Sequence, residues 1–238
     1  MTSNESYLRA IDRDGFAVVP GVAGCDAVDR LLDAMAEVDS SAAIARRGSV
    51  HAVRNLLEAV PRVRELARSE PVRALVEPVL GAECFVVRGI LFDKTPEANW
   101  KVAWHQDLTI AVREPREAPG FGPWSEKAGI PHVQPPAEVL ERMLTVRVHL
   151  DACGPENGPV QVIPGSHRAG RLAPGEIDGW RERAPAVACT SPRGGALVMR
   201  PLILHASSPS TLPAHRRVVH LEFAADALPH GLDWHGRW

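Results

Sequence analysis

The six residues 145–150 read TVRVHL and alternate between apolar side chains and polar or charged ones. The apolar residues at 146, 148 and 150 would lie on one face of a β-strand, because successive strand side chains point to opposite sides of the sheet. Arg147 and His149 would lie together on the other face. The alternation therefore predicts a strand with one apolar face and one polar face.

Short runs rich in branched and aromatic apolar residues flank this segment on both sides. They occur at 84–92, 160–163, 196–199, 202–204 and 218–223, and clusters of Gly or Pro bound the runs that follow residue 150. No helices are expected between these runs. Short strands separated by turn signals predict an antiparallel barrel or sandwich.

The first third of the chain predicts helices instead. Apolar residues recur three and four positions apart over 26–38, 60–66 and 72–79, and Gly81 suits the end of the last helix. A short strand closed by a proline is predicted before them, at 15–20. Helices followed by strands indicate an α+β chain whose second part is all-β.

Composition bounds the size of the fold and the kinds of partner. The 238 residues and 45% hydrophobic content fit one domain with a sizeable core. The net charge of −2, from 27 basic and 29 acidic residues, argues against a general nucleic-acid or anionic-membrane binder. No apolar run approaches the length of a bilayer span. We therefore expect no nucleic acid and no membrane among the partners.

The N-terminus and the cysteines bear on the cellular compartment. Residues 1–6 show no basic region followed by an apolar stretch, so no signal peptide is expected. The four cysteines, at 25, 84, 153 and 189, lie far apart and form no CxxC pair. Free thiols are therefore expected, rather than a disulfide framework or a thiolate zinc site. These features predict a cytoplasmic protein.

One pair of polar residues has the spacing of metal ligands. Trp104-His105-Gln106-Asp107 places an imidazole and a carboxylate two residues apart, so that in a strand both point to the same side. A second histidine would complete the 2-His-1-carboxylate triad of non-haem iron, which leaves coordination positions open. An HxD pair occurs by chance in many chains, so the interpretation depends on that third ligand.

A candidate third ligand lies 100 residues later. His205 closes the apolar run 202–204 and is followed by a Ser-rich turn, which suits a ligand at the rim of a barrel. Arg216 follows eleven residues after it, at the start of the run 218–223. A buried arginine there could hold a carboxylate through two parallel hydrogen bonds. Alternatively, Arg216 and Arg217 are ordinary charges at the edge of a strand.

Together these residues resemble a known family. An HxD pair, a distal histidine and an arginine eleven residues further are similar to the phytanoyl-CoA dioxygenase family. Three more segments resemble that family in the same order: 14–19 (DGFAVV), 157–167 (NGPVQVIPGSH) and 194–199 (GGALVM). The turn after His205 departs from the pattern, because it carries two prolines and lacks an asparagine that many members have. That departure concerns the substrate side of the pocket.

The resemblance implies a fold and a set of cofactors. The fold would be a double-stranded β-helix, a jelly-roll core with N-terminal helices packed outside. A single domain would span residues 1–238, with the helical part at about 1–81 and the core at about 82–238. Fe(II), 2-oxoglutarate and dioxygen would be the cofactor and cosubstrates.

The same resemblance assigns roles to six residues. The iron ligands would be His105, Asp107 and His205. The residues in contact with 2-oxoglutarate would be Arg216, which pairs with its distal carboxylate, Ser207, whose hydroxyl supports that carboxylate, and Arg147.

The implied reaction oxidises a small-molecule metabolite and releases succinate and carbon dioxide. Hydroxylation is the expected outcome, and desaturation or ring closure can follow from the same chemistry. The carboxylate of Asp107 argues against a halogenase, because it occupies the position that chloride would need. Two alternatives remain open: a non-redox metal-dependent isomerase or hydrolase, and a catalytically silent binding protein of the same fold. The sequence indicates neither the substrate nor the oligomeric state.

The segment 113–136 shows neither a helical nor a strand period. It contains six prolines and three glycines, which indicates a loop. We expect this loop to form a lid over the substrate, with Phe121, Trp124 and Ile130 facing inward. Trp124 and His132 are the candidate substrate contacts. The alternative is an ordered surface loop that covers part of the barrel.

Overall fold

The computed structural model describes residues 4–37, 43–46, 49–95, 98–211 and 214–238. All four cysteines are free. None of the helices in this part of the chain is long and apolar enough to cross a bilayer. The α-helices are α1 (Asn4–Arg13), α2 (Cys25–Ala36), α3 (Leu56–Ala59), α4 (Pro61–Arg68), α5 (Glu70–Leu80), α6 (Ala137–Glu141) and α7 (Pro174–Arg183).

Three of the five helices described in the first third lie where the apolar spacing predicts them, whereas α1 and α3 were not predicted. The patterns over 26–38, 60–66 and 72–79 correspond to α2, α4 and α5. Val38, at the end of the first pattern, lies outside the described residues. Helix α5 ends before Gly81, whose φ of +93° is a conformation that glycine adopts without strain.

Two short helices lie in the part of the chain predicted to contain only strands. Helix α6 is little more than one turn after two prolines, and α7 contains no fully buried residue. The expectation of no helices after residue 81 is therefore wrong. Helix α6 is too short to show an apolar stripe, and α7 has only Ile177 and Trp180, partly buried against one apolar cluster.

The strands form three antiparallel sheets. The strands are β1 (Phe16–Val19), β2 (Ala43–Arg46), β3 (Ser49–Val53), β4 (Phe85–Lys94), β5 (Val102–His105), β6 (Ile110–Ala111), β7 (Trp124–Lys127), β8 (Ile130–Val133), β9 (Met143–His149), β10 (Val160–Val162), β11 (Val187–Cys189), β12 (Ala196–Met199), β13 (His205–Ser207) and β14 (Arg216–Ala224). The largest sheet has the order β1-β12-β9-β14-β4-β3-β2, and the second has the order β11-β10-β13-β5. The third contains β6, β8 and β7. Antiparallel strands paired mainly with partners distant in sequence are typical of a jelly roll, and the predicted fold class is confirmed.

The N-terminal part contributes strands as well as helices. Strand β1 lies where it is predicted and pairs with β12 at one edge of the largest sheet. Strand β3 pairs with β4, which brings β2 and β3 to the other edge. The boundary predicted near residue 81 therefore separates most of the helices from most of the strands, but the sheet crosses it.

One apolar run is not a strand. The run 202–204 predicts one, but β13 begins one residue later, at His205. The three residues are buried in a turn, and the amide of Leu204 donates a hydrogen bond to Ser166 Oγ at 2.8 Å. Burial without strand pairing explains why the run is apolar.

Strands β9 and β14, in the middle of the largest sheet, separate two environments. On one face the residues at 146, 148 and 150 pack with those at 219, 221 and 223 against helices α4 and α5. On the other face Arg147 and His149 are both buried. The alternation predicted for 145–150 is confirmed, and its polar face points into the interior of the roll.

The segment 113–136 contains a β-hairpin. Strands β7 and β8 are joined by a two-residue turn at Ala128 and Gly129, which both have positive φ, 53° and 75°. Such a turn fits the twist of a hairpin and is usually indicated by Asn-Gly or Gly-Gly. Because the first position here is Ala128, the sequence does not predict the turn. The hairpin joins β6 through β8. The description of this segment as a loop without strands is therefore wrong.

Leu221→Ala should lower the free energy of unfolding by about 2–5 kcal/mol, because it removes a buried side chain from the layer between sheet and helices. Chemical denaturation followed by circular dichroism measures the change. Val187→Ala, at a position that is 40% exposed, is the control and should stay within about 0.5 kcal/mol. Equal destabilisation by both substitutions would contradict the packing described.

Candidate active site

The HxD pair and the distal histidine lie on neighbouring strands. Strand β5 ends at His105, β13 begins at His205, and these two histidines are direct partners in the antiparallel register. The two carboxylate oxygens of Asp107 lie 3.7 Å from His105 Nε2 and 3.7 Å from His205 Nε2. One ligand atom from each residue lies within 4.8 Å of those of the other two. This spacing fits three ligands of one metal ion.

Backbone carbonyls fix the orientation of both rings. Nδ1 of His105 lies 2.8 Å from the carbonyl oxygen of Ala103, and Nδ1 of His205 lies 2.9 Å from that of Ile203. A carbonyl oxygen only accepts hydrogen bonds, so each Nδ1 carries the proton and donates it. Each Nε2 therefore presents a lone pair toward Asp107, as in metal-binding histidines held by a second hydrogen bond.

The charge states of these residues suit a cation. Burial lowers the pKa of His205 to about 4, so its imidazole is neutral at pH 7. Burial alone would raise the pKa of Asp107, but the nearby His205 and His105 outweigh it and lower this pKa below its usual range. A carboxylate and two imidazole nitrogens form the donor set of non-haem iron(II), so the residues present fit that metal.

Gln106, between the two ligands of the HxD pair, connects three segments. Its amide nitrogen donates to the carbonyl oxygens of Gly170, at 2.8 Å, and Leu202, at 2.7 Å. Its carbonyl oxygen accepts a hydrogen bond from the amide of Leu172, at 2.9 Å. All of its hydrogen-bonding groups but one are thus used to hold the HxD segment against the turn that precedes His205.

A buried cation lies near the distal histidine. Arg216, which is 3% exposed, donates hydrogen bonds to the carbonyl oxygen of Gly158 and, at 3.4 Å, to Ser207 Oγ. Gly158 has a φ of +57°, and a Cβ there would clash with the carbonyl of Ser208, so the close approach of these segments requires glycine. Nε of Arg216 is buried without a hydrogen-bond partner. The guanidinium therefore keeps donor capacity for a ligand.

A second buried cation lies beside the first. Lys94 is the direct partner of Arg216 in the register of β4 and β14, and it is 1% exposed. Its ammonium donates to Ser207 Oγ at 2.7 Å and to the carbonyl oxygen of Ser208 at 2.5 Å. Burial and then the charge of Arg216 lower the pKa of Lys94 to about 7. Within the described part of the chain neither residue forms an ion pair with a carboxylate, so positive charge there is held only by neutral oxygens.

Side chains that face the interior follow a two-residue period along β4 and β14. The pairs in register are Arg216 with Lys94, Val218 with Phe92, His220 with Ile90, and Glu222 with Arg88. The first and last pairs are six residues apart, which is about 20 Å along a strand. Arg216, Glu222 and the three candidate ligands all line one cavity of about 450 Å³. The cavity thus has a cationic end at Arg216 and a second polar end at Glu222.

The second end contains a chain of hydrogen-bonded charged groups. NH1 of Arg147 lies 2.8 Å from His220 Nδ1, and His220 Nε2 lies 3.2 Å from Oε1 of Glu222. Glu222 also forms an ion pair with Arg88 at 3.2 Å. The structure therefore joins Arg147 to His220, and the contact of Arg147 with the cosubstrate stays a prediction.

Comparison with known proteins identifies the family. The family model described as phytanoyl-CoA dioxygenase (PhyH) matches residues 11–218. The chain belongs to the phytanoyl-CoA dioxygenase family. The resemblance drawn from the sequence motifs is confirmed, and with it the iron(II) and 2-oxoglutarate that this family of dioxygenases uses.

One characterised relative is an ectoine dioxygenase from Sphingopyxis alaskensis (strain DSM 13593 / LMG 18877 / RB2256), which is 27% identical over 177 residues. The match covers 70% of this chain and 51% of that enzyme. The chain therefore spans about half the length of the curated relative that it matches.

Solved structures of the family share the fold. EctD from S. alaskensis, with 2-oxoglutarate and 5-hydroxyectoine, is 22% identical with a TM-score of 0.71, over 94% of this chain and 76% of that one. The carbocyclase SnoK from nogalamycin biosynthesis, described as non-haem and α-ketoglutarate-dependent, is 17% identical with a TM-score of 0.72, over 92% and 83%. At these identities the likeness concerns the fold.

The residues predicted to contact substrate lie in different places. Trp124 and Phe121 pack on the apolar cluster that contains Ile110, and neither lines the cavity of the candidate ligands. His132 is buried and, with Ile130, lines a smaller cavity. Neither Trp124 nor His132 lines the main cavity, but the smaller cavity that His132 lines shares Arg88 and Lys127 with it. Movement of the hairpin as a lid stays a prediction.

Sequence reasoning missed Lys94, Arg88 and Glu222. The signal that could have found them is the period of two, since Arg88 and Lys94 share a strand face with the apolar residues at 90 and 92. The family's arginine, Arg216, would then have needed a partner strand in known register. The register between two strands cannot be derived from a single sequence, so the pairing of Lys94 with Arg216 could not be predicted.

Gln106→Ala should weaken metal binding by about 10- to 100-fold, because the ligands on either side lose the contacts that orient them. Titration of the apoprotein with iron(II) in the absence of oxygen measures the affinity. Gln161→Ala, a partly buried glutamine of β10, is the matched control and should change the affinity less than about twofold. Unchanged affinity in Gln106→Ala would remove this residue from the support of the site.

Proposed function

We propose that this protein is an iron(II)- and 2-oxoglutarate-dependent oxygenase that oxidises a small molecule and releases succinate and carbon dioxide. One observation carries the proposal: the candidate ligands line the same cavity as buried Arg216, which lies beside buried Lys94. A metal site alone would suit many reactions. A metal site next to two cations without a carboxylate partner suits a cosubstrate that both chelates metal and carries a second carboxylate.

The residues of the anion site determine how such a cosubstrate binds. Arg216 offers a planar fork of N–H groups to the distal carboxylate, and Lys94 adds a second positive charge. Ser207 accepts a hydrogen bond from Lys94 and donates one to the Gly158 carbonyl at 3.0 Å, which holds its hydroxyl between the two cations. Fixing the distal carboxylate aims the other end of the cosubstrate at the ligands, because His205 is two residues from Ser207 on the same strand face.

His105, Asp107 and His205 would hold the iron. Iron(II) with 2-oxoglutarate supplies a two-electron oxidation of a C–H bond, with dioxygen as the oxidant. The protein excludes water and orients the substrate, and apolar side chains at 90, 92, 102 and 160 line the cavity for that purpose. Hydroxylation is the reaction we propose, with desaturation or ring closure as the variants that depend on substrate geometry.

The two rival functions differ from this one in what they need. A non-redox isomerase or hydrolase needs the metal but not a pocket for a dicarboxylate, so the pair Arg216 and Lys94 favours the oxygenase. A silent binding protein needs no free metal positions, whereas the three ligands here leave such positions open. We also retain the single domain over residues 1–238 as a proposal, with a small molecule as the partner.

Removing any one candidate ligand should abolish turnover of 2-oxoglutarate, because a three-ligand site has no spare ligand. The variants are His105→Ala, Asp107→Ala and His205→Ala, and succinate formed in the presence of iron(II), ascorbate and air is measured by mass spectrometry. His215→Ala, an exposed histidine paired with Asp93, is the control and should retain turnover. Full turnover in any of the three variants would remove that residue from the set. No succinate from the unchanged protein across metabolite pools would contradict the oxygenase.

Arg216→Lys should raise the apparent KM for 2-oxoglutarate by about 10- to 100-fold, since an ammonium cannot reproduce the planar fork and a charged hydrogen bond contributes about 1.5–3 kcal/mol. Succinate formation over a range of 2-oxoglutarate concentrations gives the value. Arg217→Lys is the matched control, because Arg217 pairs with Asp151 at 2.7 Å and does not line the cavity. A larger effect in Arg217→Lys than in Arg216→Lys would contradict the assignment.

A further inference from the structure

One cation in the cavity wall has no role in the chemistry proposed so far. Lys127, the last residue of β7, lines both the main cavity and the smaller cavity beside it. Its ammonium donates a hydrogen bond to Thr109 Oγ1 at 2.8 Å, and none of the ion pairs among the described residues includes it. A hydroxyl solvates an ammonium but does not neutralise it.

Two arginines lie near Lys127. Arg54 and Arg88 line the same two cavities as Lys127. Glu222 is the carboxylate that lines this end of the main cavity, and it lies 3.2 Å from Arg88 and 3.2 Å from His220 Nε2. None of the ion pairs among the described residues joins Glu222 to Lys127.

Two groups on different strands report the same excess of positive charge. Burial and then the charges of Arg88 and Arg54 lower the pKa of Lys127 on β7. Burial and then Arg88 lower the pKa of His132 on β8 to about 4, so this imidazole is neutral. Nε2 of His132 is buried without a hydrogen-bond partner. The carboxylates that line these cavities beside Lys127 are Glu222 and Glu58, and each is paired with other residues. Lys127 therefore has no carboxylate partner among the described residues.

This positive region is distinct from the cosubstrate pocket. The pair Arg88 and Glu222 lies six residues along the strands from Lys94 and Arg216, which is about 20 Å. The smaller cavity that adjoins Lys127 is lined by neither Arg216 nor any of the three candidate ligands. A single 2-oxoglutarate held at Arg216 cannot also neutralise Lys127.

We propose that Lys127, with Arg88 beside it, binds an anionic group of the substrate, which is a carboxylate or a phosphate. The proposal rests on the oxygenase function and names the class of its substrate, a small molecule with an anionic group at the end opposite Arg216. The hydrogen bond from Lys127 to Thr109 connects the hairpin to the residue two positions after Asp107. An anion at Lys127 would therefore fix the substrate relative to the candidate metal ligands.

The test uses protein loaded with iron(II) without oxygen and saturated with 2-oxoglutarate, so that Arg216 is already occupied. Three probes of equal chain length, hexanoate, hexyl phosphate and hexanamide, are titrated by calorimetry. At least one anion should bind about tenfold or more tightly than hexanamide, as expected for a charged hydrogen bond. The anion with the higher affinity shows whether the site prefers a carboxylate or a phosphate.

Variants assign the preference to Lys127. In Lys127→Met the affinity for the anion should fall to within about twofold of the affinity for hexanamide. In Lys127→Arg, which keeps the charge, the preference for the anion should persist. Lys101→Met, at an exposed lysine, is the matched control and should behave like the unchanged protein. Equal binding of hexanamide and both anions, or binding of neither anion, would overturn the proposal, and this comparison needs no variant.

A preference that survives Lys127→Met would overturn the role of Lys127. Failure of 2-oxoglutarate itself to bind the iron-loaded protein would instead contradict the oxygenase function.

Discussion

The alternation of side chains in β4, β9 and β14 is the constraint on which the rest of this structure depends. These strands are packed between helices on one side and the cavity on the other, so each second residue enters a different environment. The apolar face contributes the free energy of burial that holds the sheet closed. The opposite face can then carry charged groups that would be costly to bury without such compensation.

The buried charged groups on the inner face are stabilised differently at the two ends of the cavity. At the Arg216 end they are solvated by neutral dipoles, and at the Glu222 end they pair with one another. Carbonyl oxygens of Gly158 and Ser208 accept hydrogen bonds from Arg216 and Lys94, which satisfies some of their donors without cancelling their charge. At the other end Glu222 is shared between Arg88 and His220. A cation held by dipoles keeps its attraction for anions, and this is why the polar face can recognise ligands.

The sequence predicts those features that depend on local spacing. His105 and Asp107 are two residues apart, and the period of a strand suffices to place both on one side. The family pattern points to His205 and Arg216, whereas spacing alone leaves Arg216 and Arg217 as ordinary charges at the edge of a strand. The structure separates them, since Arg216 lines the cavity and Arg217 pairs with Asp151.

Features that depend on register or on an unusual turn were not predicted. Lys94 acts with Arg216 only because seven successive residue pairs, from Arg216–Lys94 to Glu222–Arg88, join β4 and β14, and that register depends on the whole sheet. The hairpin was not predicted because Ala128 occupies a position of positive φ where glycine or asparagine is usual. Helices α6 and α7 were not predicted because α6 is only five residues long and α7 packs on the core through Ile177 and Trp180 alone.

The side-by-side placement of Lys94 and Arg216 has a consequence for the evolution of stability. Two like charges buried together repel, so the ligand-free fold carries an energetic cost that an apolar pair of similar size would not carry. A carboxylate bound between them offsets this cost, and folding and ligand binding are therefore linked thermodynamically. Selection for a more stable empty protein would favour substitutions at these two positions that abolish binding, so retaining both cations trades stability for function.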